Sequence, residues 1–212
     1  MMCTNPFFMN ETFRALDEGG VEYLHLDIMD GIFVPNLGLS LDWIKSLREH
    51  TDIPCDYHLM TINPDNIFPL LNMKEGDIVS IHYESTPQIL RTLENAKKYG
   101  VKVFLAINPG TPVSVLEELV YFIDGVNLLM VNPGFAGQRM VPFGLQKARK
   151  LQSFLIDKGI TIDVEVDGNI TFEHAAALKN TGANIFVAGT SSLFVPTGIR
   201  EHSIEQLREA IV

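Results

Sequence analysis

A closed eight-stranded α/β barrel is the fold this sequence predicts, on three observations. Short β-rich runs alternate with helical patterns along the whole chain of 212 residues. Their centres recur at intervals of about 22 to 35 positions. No linker or low-complexity break divides them. Eight βα units close most simply into a parallel barrel with its functional groups at the carboxyl ends of the strands. An open doubly wound sheet is the alternative, but it calls for a Gly-x-Gly-x-x-Gly turn after the first strand, and none is present. The expectation is a single (β/α)8 TIM-barrel domain over residues 1–212, with a truncated first strand.

The elements follow in order. Met1-Met2-Cys3-Thr4 is expected to be the last part of a strand, with Asn5-Pro6 as a helix entry, a helix over 7–18, and Gly19-Gly20 as its stop. Leu24–Gly31 is the second strand: Leu24, Leu26 and Ile28 share one face, His25 and Asp27 the other, and Asp30-Gly31 ends the run with turn chemistry. Further strands are predicted over 55–60, 78–82, 101–107, 126–131, 162–167 and 185–188. Helical patterns lie between them over 41–50, 64–71, 88–99, 113–121, 144–158, 172–181 and 203–211.

Composition narrows the function classes. Hydrophobic residues make up 46% and charged residues 20%, as in an ordinary globular protein with ample core. The net charge of −10 and the lack of a basic stripe argue against a nucleic-acid surface. A phosphorylated substrate stays compatible with that charge, because backbone N–H groups hold phosphate without side-chain cations. Cys3 and Cys55 are isolated thiols without framework spacing. No apolar run approaches the roughly 18 residues of a membrane span. A soluble cytoplasmic protein with no membrane contact is expected.

The strand ends carry the chemistry. His25 and Asp27 on the second strand, His58 on the third and Asp167 on the seventh fall at equivalent positions of the barrel rim. Taken singly, each has a plain explanation: a satisfied core histidine, a capping aspartate, a turn pair. Together they supply two nitrogens and at least two oxygens for one divalent metal, zinc first, with manganese, iron or cobalt as alternatives. Asp27 and Asp167 come from different sides of the mouth. They could therefore remove a proton from one face of a carbon and return one to the other. Gly134, Gly137, Gly168 and Gly189 follow the last three strands, where barrels often hold phosphate on loop N–H groups, and Thr190 and Ser191 can add donors.

Six spaced stretches carry a resemblance: His25 through Asn36, Asp56-Tyr57-His58-Leu59-Met60, Asn108 through Pro112, Asn132 through Gln138, Glu165-Val166-Asp167-Gly168 and Val187-Ala188-Gly189-Thr190. In this order they resemble the ribulose-phosphate 3-epimerase family of (β/α)8 barrels. The resemblance implies one catalytic metal on His25, Asp27, His58 and Asp167, with Asp27 and Asp167 doubling as the acid/base pair. It implies that His58 also touches a sugar-phosphate substrate, and that Gly134, Phe135, Ala136 and Gly137 belong to a mobile loop over it. Gly168, Asn169, Gly189 and Thr190 fall where the family binds phosphate. Met29, Met60 and Met130, otherwise core filler, fall where its methionines line the reaction centre. With the exposed apolar pair Phe7-Phe8, the resemblance also implies a homo-oligomer.

Three departures bear on the substrate. The Pro-Ser-containing first strand usual in the family is missing ahead of Met1-Met2-Cys3, and its substrate-contacting serine with it. Asn169 stands where glycine is usual, and Gly189 through Phe194 together with Met2-Cys3 look more like the D-allulose-6-phosphate 3-epimerase branch. The expected reaction is epimerisation at C3, with D-ribulose 5-phosphate and D-xylulose 5-phosphate as the default pair and the allulose substrate second. A phosphate-binding barrel of the decarboxylase type would need a lysine between Asp27 and Asp30, and there is none. A non-catalytic sugar-phosphate-binding barrel is the remaining reading.

Overall fold

The computed structural model describes residues 1–212. Seven parallel strands form one curved sheet in chain order: β1 (Leu24–Met29), β2 (Cys55–Met60), β3 (Ile78–His82), β4 (Lys102–Ile107), β5 (Gly125–Leu129), β6 (Asp163–Asp167) and β7 (Ile185–Phe186). Each pairs with the next, beginning with Leu24 opposite Cys55 and ending with Val166 opposite Phe186. The intervening helices are α1 (Met9–Glu18), α2 (Leu41–His50), α3 (Ile89–Lys97), α4 (Gly144–Lys158), α5 (Phe172–Lys179) and α6 (Ser203–Ala210). This is the (β/α)8 architecture, with its wall open between β7 and β1.

Local chemistry accounts for most boundaries. Asn5 Oδ1 accepts from Phe7 N at 3.1 Å, opening a short 3-10 turn that leads into α1. Ser40 caps α2 through Trp43 N at 3.2 Å, and Gly159, with φ of 65°, ends α4. Leu26, Leu59, Val79 and Leu105 sit on the outer face of the sheet and pack with Leu16, Ile44, Leu93 and Leu151 of the helices in one continuous core. Two-residue alternation turns Asp56, His58, Ser80, His82 and Glu165 inward, all buried. No helix is long and apolar enough to cross a membrane.

Four expectations need correction. Met1–Thr4 is no strand: it closes on itself as a turn, with Thr4 N donating to Met1 O at 3.0 Å, and its one hydrogen bond to β1 runs from Met1 N to His25 O at 2.5 Å. The predicted helix over 64–71 is two 3-10 turns, Pro64–Asn66 and Phe68–Leu70, because Pro69 lacks an N–H and its ring blocks a continuous helix. The pattern over 113–121 also resolves into 3-10 turns, Val113–Leu116 and Leu119–Phe122, in a stretch with three β-branched valines. The last sheet strand is trimmed to two residues, and an unforeseen hairpin, β8 (Phe194–Val195) with β9 (Gly198–Ile199), follows it. With no strand between β7 and β1, an apolar cavity of about 330 Å3 remains there, lined by Leu16, Leu24, Phe186, Leu193 and Ile204 among others.

Candidate functional site

The register of the first two strands sets the centre of the site. Asp27 lies opposite His58 and His25 opposite Asp56, so neighbouring inward side chains on β1 and β2 meet at the same height. Asp167, the last residue of β6, reaches the same point from the other side of the open wall. His25 Nε2 is 3.4 Å from Asp27 Oδ1 and 3.8 Å from Asp167 Oδ2. His58 Nδ1 is 3.4 Å from each of those oxygens. The four ligand atoms lie within 4.8 Å of one another.

Two observations test whether a metal ion fits. His25 Nε2 and His58 Nδ1 are both buried and without a hydrogen-bond partner, and both face the two carboxylates. Two imidazole lone pairs and two carboxylates converging in this way form a donor set that suits a divalent cation of the zinc, manganese or iron type. The residues fit the group.

A second buried layer lies beneath. His25 Nδ1 hydrogen-bonds to Asp56 Oδ2, and Glu165 Oε1 is 3.6 Å from the same nitrogen. An ionised Asp56 can only accept, so His25 keeps its Nδ1 proton and presents Nε2 to the cluster. Burial pushes the Glu165 carboxyl well above the ordinary range, and the Asp56 charge adds to the effect. For His25 burial favours the neutral form, but the Asp56 and Asp27 carboxylates outweigh it and raise its pKa well. Burial likewise opposes ionisation of Asp27, yet the facing imidazoles of His25 and His58, His25 foremost, hold it well below the usual value. The sequence signal for this layer was available: Asp56 and Glu165 stand two residues before His58 and Asp167, on the same strand faces.

The glycine-bearing loops form the other wall of a cavity of about 90 Å3 over the cluster. Gly168 has φ of 107°, and a Cβ there would lie 2.5 Å from Val131 Cγ2, so both backbone and space demand glycine. Asn169 follows with φ of 55°, the left-handed region that asparagine tolerates better than most residues. Its side chain accepts from Met140 N at 3.0 Å and donates to Ser191 Oγ at 2.8 Å, joining the loops after β5, β6 and β7. Asn36 Nδ2 donates to Gly134 O at 2.6 Å, and Gln138 braces its own loop through Asn132 O and Phe135 O.

With this geometry in view, the comparisons with known proteins decide the family. Residues 1–194 match the Ribulose-phosphate 3 epimerase family. The chain belongs to that family. Ribulose-phosphate 3-epimerase of Bacillus subtilis (strain 168) is 36% identical over 199 residues, spanning 90% of this chain and 92% of that protein. Chloroplastic ribulose-5-phosphate-3-epimerase of Arabidopsis thaliana is 37% identical over 185 residues, 86% of this chain and 66% of that one. Among solved structures, 3-keto-L-gulonate-6-phosphate decarboxylase from Vibrio cholerae has a TM-score of 0.66 at 14% identity, covering 100% of this chain and 94% of its own. Phosphoribosyl anthranilate isomerase from Thermus thermophilus gives 0.65 at 12%, covering 95% and 92%. These two likenesses establish the barrel fold alone.

Membership makes this chain an isomerase of the epimerase type. The structure brings His25, Asp27, His58 and Asp167 together, and the cavity above them is lined by Met29, Met60, Gly134 through Gly137, Gly168, Asn169, Gly189 and Thr190. Met130 is placed elsewhere: it is fully buried in the main core and does not line the cavity. Met2 and Cys3, given no role from sequence, do line it. Asp30, at the end of β1, stays outside the cluster. Its carboxylate accepts from Ile32 N, Phe33 N and Ile62 N, each at 2.8 Å, and so ties the first two loops.

Proposed function

We propose that this protein inverts C3 of a ketose phosphate, with D-ribulose 5-phosphate and D-xylulose 5-phosphate as the pair. The observation that carries this is the convergence of Asp27 and Asp167, from β1 and β6, on the same two imidazole nitrogens. Epimerisation needs a base on one face of the carbon and an acid on the other, and two carboxylates on opposite sides of one small cavity meet that need. One carboxylate takes the C3 proton, leaving a planar enediolate, and the other returns a proton to the opposite face. Both carboxylates are mostly shielded from water, with side-chain exposures of 13% and 17%, which favours transfer to substrate over transfer to solvent.

His25, Asp27, His58 and Asp167 would hold one divalent ion, zinc first among the alternatives. When bound, it supplies positive charge against the oxygens of the reacting carbons. Gly168, Asn169, Gly189 and Thr190 would hold the phosphate on backbone N–H groups and the Thr190 hydroxyl, which accords with a net charge of −10 and a cavity lined by neither lysine nor arginine. Phe135, half exposed in the loop after β5, would cover the sugar.

Proton NMR of D-ribulose 5-phosphate with the zinc- or manganese-loaded protein in deuterated water tests the reading. Deuterium entering C3 together with formation of xylulose 5-phosphate is expected. Binding of the sugar phosphate with no exchange at C3 would overturn it and leave a binding barrel.

A further inference from the structure

One buried polar chain leaves the candidate metal centre on the side opposite the carboxylates. His58 Nε2 and His82 Nε2 are 2.8 Å apart, with the two rings 22° from parallel. His82, at the end of β3, is fully buried, and the Phe33 ring lies 4.8 Å from it. His82 Nδ1 is 3.4 Å from Glu84 Oε2. The other oxygen, Glu84 Oε1, accepts from Asn108 N at 3.1 Å and from Thr111 Oγ1. Lys147 of α4 donates to the carbonyls of Asn108 and Pro109, which fixes that loop in turn.

The direction of every hydrogen bond in this chain follows from its outer end. An ionised carboxylate can only accept, so His82 Nδ1 carries a proton and donates to Glu84. A neutral His82 then has a lone pair at Nε2, which accepts from His58 Nε2–H. That leaves His58 Nδ1 as a lone pair, and Nδ1 is the atom that stands 3.4 Å from both Asp27 and Asp167 with no partner of its own. We propose that Glu84 and His82 are positioning residues which hold His58 in the Nε2–H tautomer, so that Nδ1 is its metal-binding nitrogen. His25 is oriented by one direct contact to Asp56, whereas His58 is oriented through an intervening imidazole. This inference rests on the metal reading above, and it reaches the loop after β4, which holds no metal ligand.

The test joins a spectroscopic readout to a binding one. Nitrogen-15 NMR of the imidazoles is expected to find His82 protonated on Nδ1, with or without zinc, and a packing role alone would not set that tautomer. Glu84→Gln offers one accepting oxygen where the carboxylate uses two, so either His82 or the Asn108 N–H loses its partner. Zinc affinity, measured by competition with a chelator, is expected to fall roughly tenfold to a hundredfold in Glu84→Gln and in His82→Phe, the usual range for removing an outer-shell partner. An Nε2–H tautomer at His82 in the wild type, or wild-type zinc affinity in folded Glu84→Gln, would overturn the relay. A wild-type protein that binds no zinc would instead sink the metal reading, and the His82 tautomer would still decide whether the relay exists.

Discussion

Two buried charged constellations meet strand β2, one outside the barrel and one inside it, and they are built on opposite principles. At the amino ends of β2 and β3, Arg48 and Asp77 form an ion pair in which Arg48 Nη2 meets both Asp77 oxygens, at 3.1 and 3.2 Å. Asp77 also accepts from Cys55 N and Lys74 N, and Arg48 Nη1 donates to Ile53 O. Facing the barrel interior, His25 Nε2, His58 Nδ1, Asp56 Oδ1 and both Glu165 oxygens have no hydrogen-bond partner. Unpaired buried polar atoms cost stability, so a fold keeps them where they meet a ligand or a proton. The paired set, in which Arg48 Nε alone lacks a partner, holds the barrel together, and the set rich in unpaired atoms lines the candidate site.

The sharpest way to break this contrast is to exchange the two outcomes. Asp27→Asn and Asp167→Asn should each lower turnover roughly 10²- to 10⁴-fold by removing a proton carrier, while leaving the thermal midpoint of the metal-free protein unchanged or higher. Removing bound metal with a chelator should abolish turnover, and adding a divalent ion back should restore it; undiminished rates in metal-free protein would refute the metal role. In the paired set, Asp77→Ala should cost about 3–5 kcal/mol of stability by stranding Arg48, with kcat near wild type at a temperature where the variant stays folded. Denaturant melts paired with steady-state rates separate these cases. An Asp77 variant that is stable but inactive would erase the distinction.

Smaller effects sharpen it. Gly168→Ala forces a left-handed φ on a side chain and drives its Cβ into Val131, so a loss of about 1–3 kcal/mol is expected, with a rise in KM larger than any fall in kcat. Glu165→Gln addresses the buried acid. Because the folded-state pKa of Glu165 lies above that of the unfolded chain, the native protein holds the extra proton between the two values. Stability should therefore decline as pH rises out of the ordinary carboxylate range toward the raised value, and melts at about pH 5 and about pH 8 should show that decline lessened in Glu165→Gln. The least effect is expected at Phe135→Ala, a few-fold increase in KM measured by initial rates, since the ring is half exposed at the cavity lining.

The sequence by itself determined the alternation of strands and helices, the family, and the four side chains that converge over the barrel. These are legible because period-two faces and strand-end positions are local properties: His25 with Asp27, and Asp56 with His58, share a face whatever surrounds them. Glu165 with Asp167 obeys the same rule on β6. Tertiary structure alone decided the rest. Which nitrogen of each histidine faces the two carboxylates is tied to Asp56 across one strand pairing, and to His82 and Glu84 across another. Met130 went to the core, and Asn169 acquired its left-handed turn and its ties to Met140 and Ser191, through loops far apart in the chain. The wall between β7 and β1 stays open at Met1–Thr4, because a β-rich run becomes a strand only when a neighbouring edge binds it, and the turn at Met1–Thr4 competes successfully. Register, curvature and tautomer are set by contacts between residues distant in sequence, and no local pattern encodes those contacts.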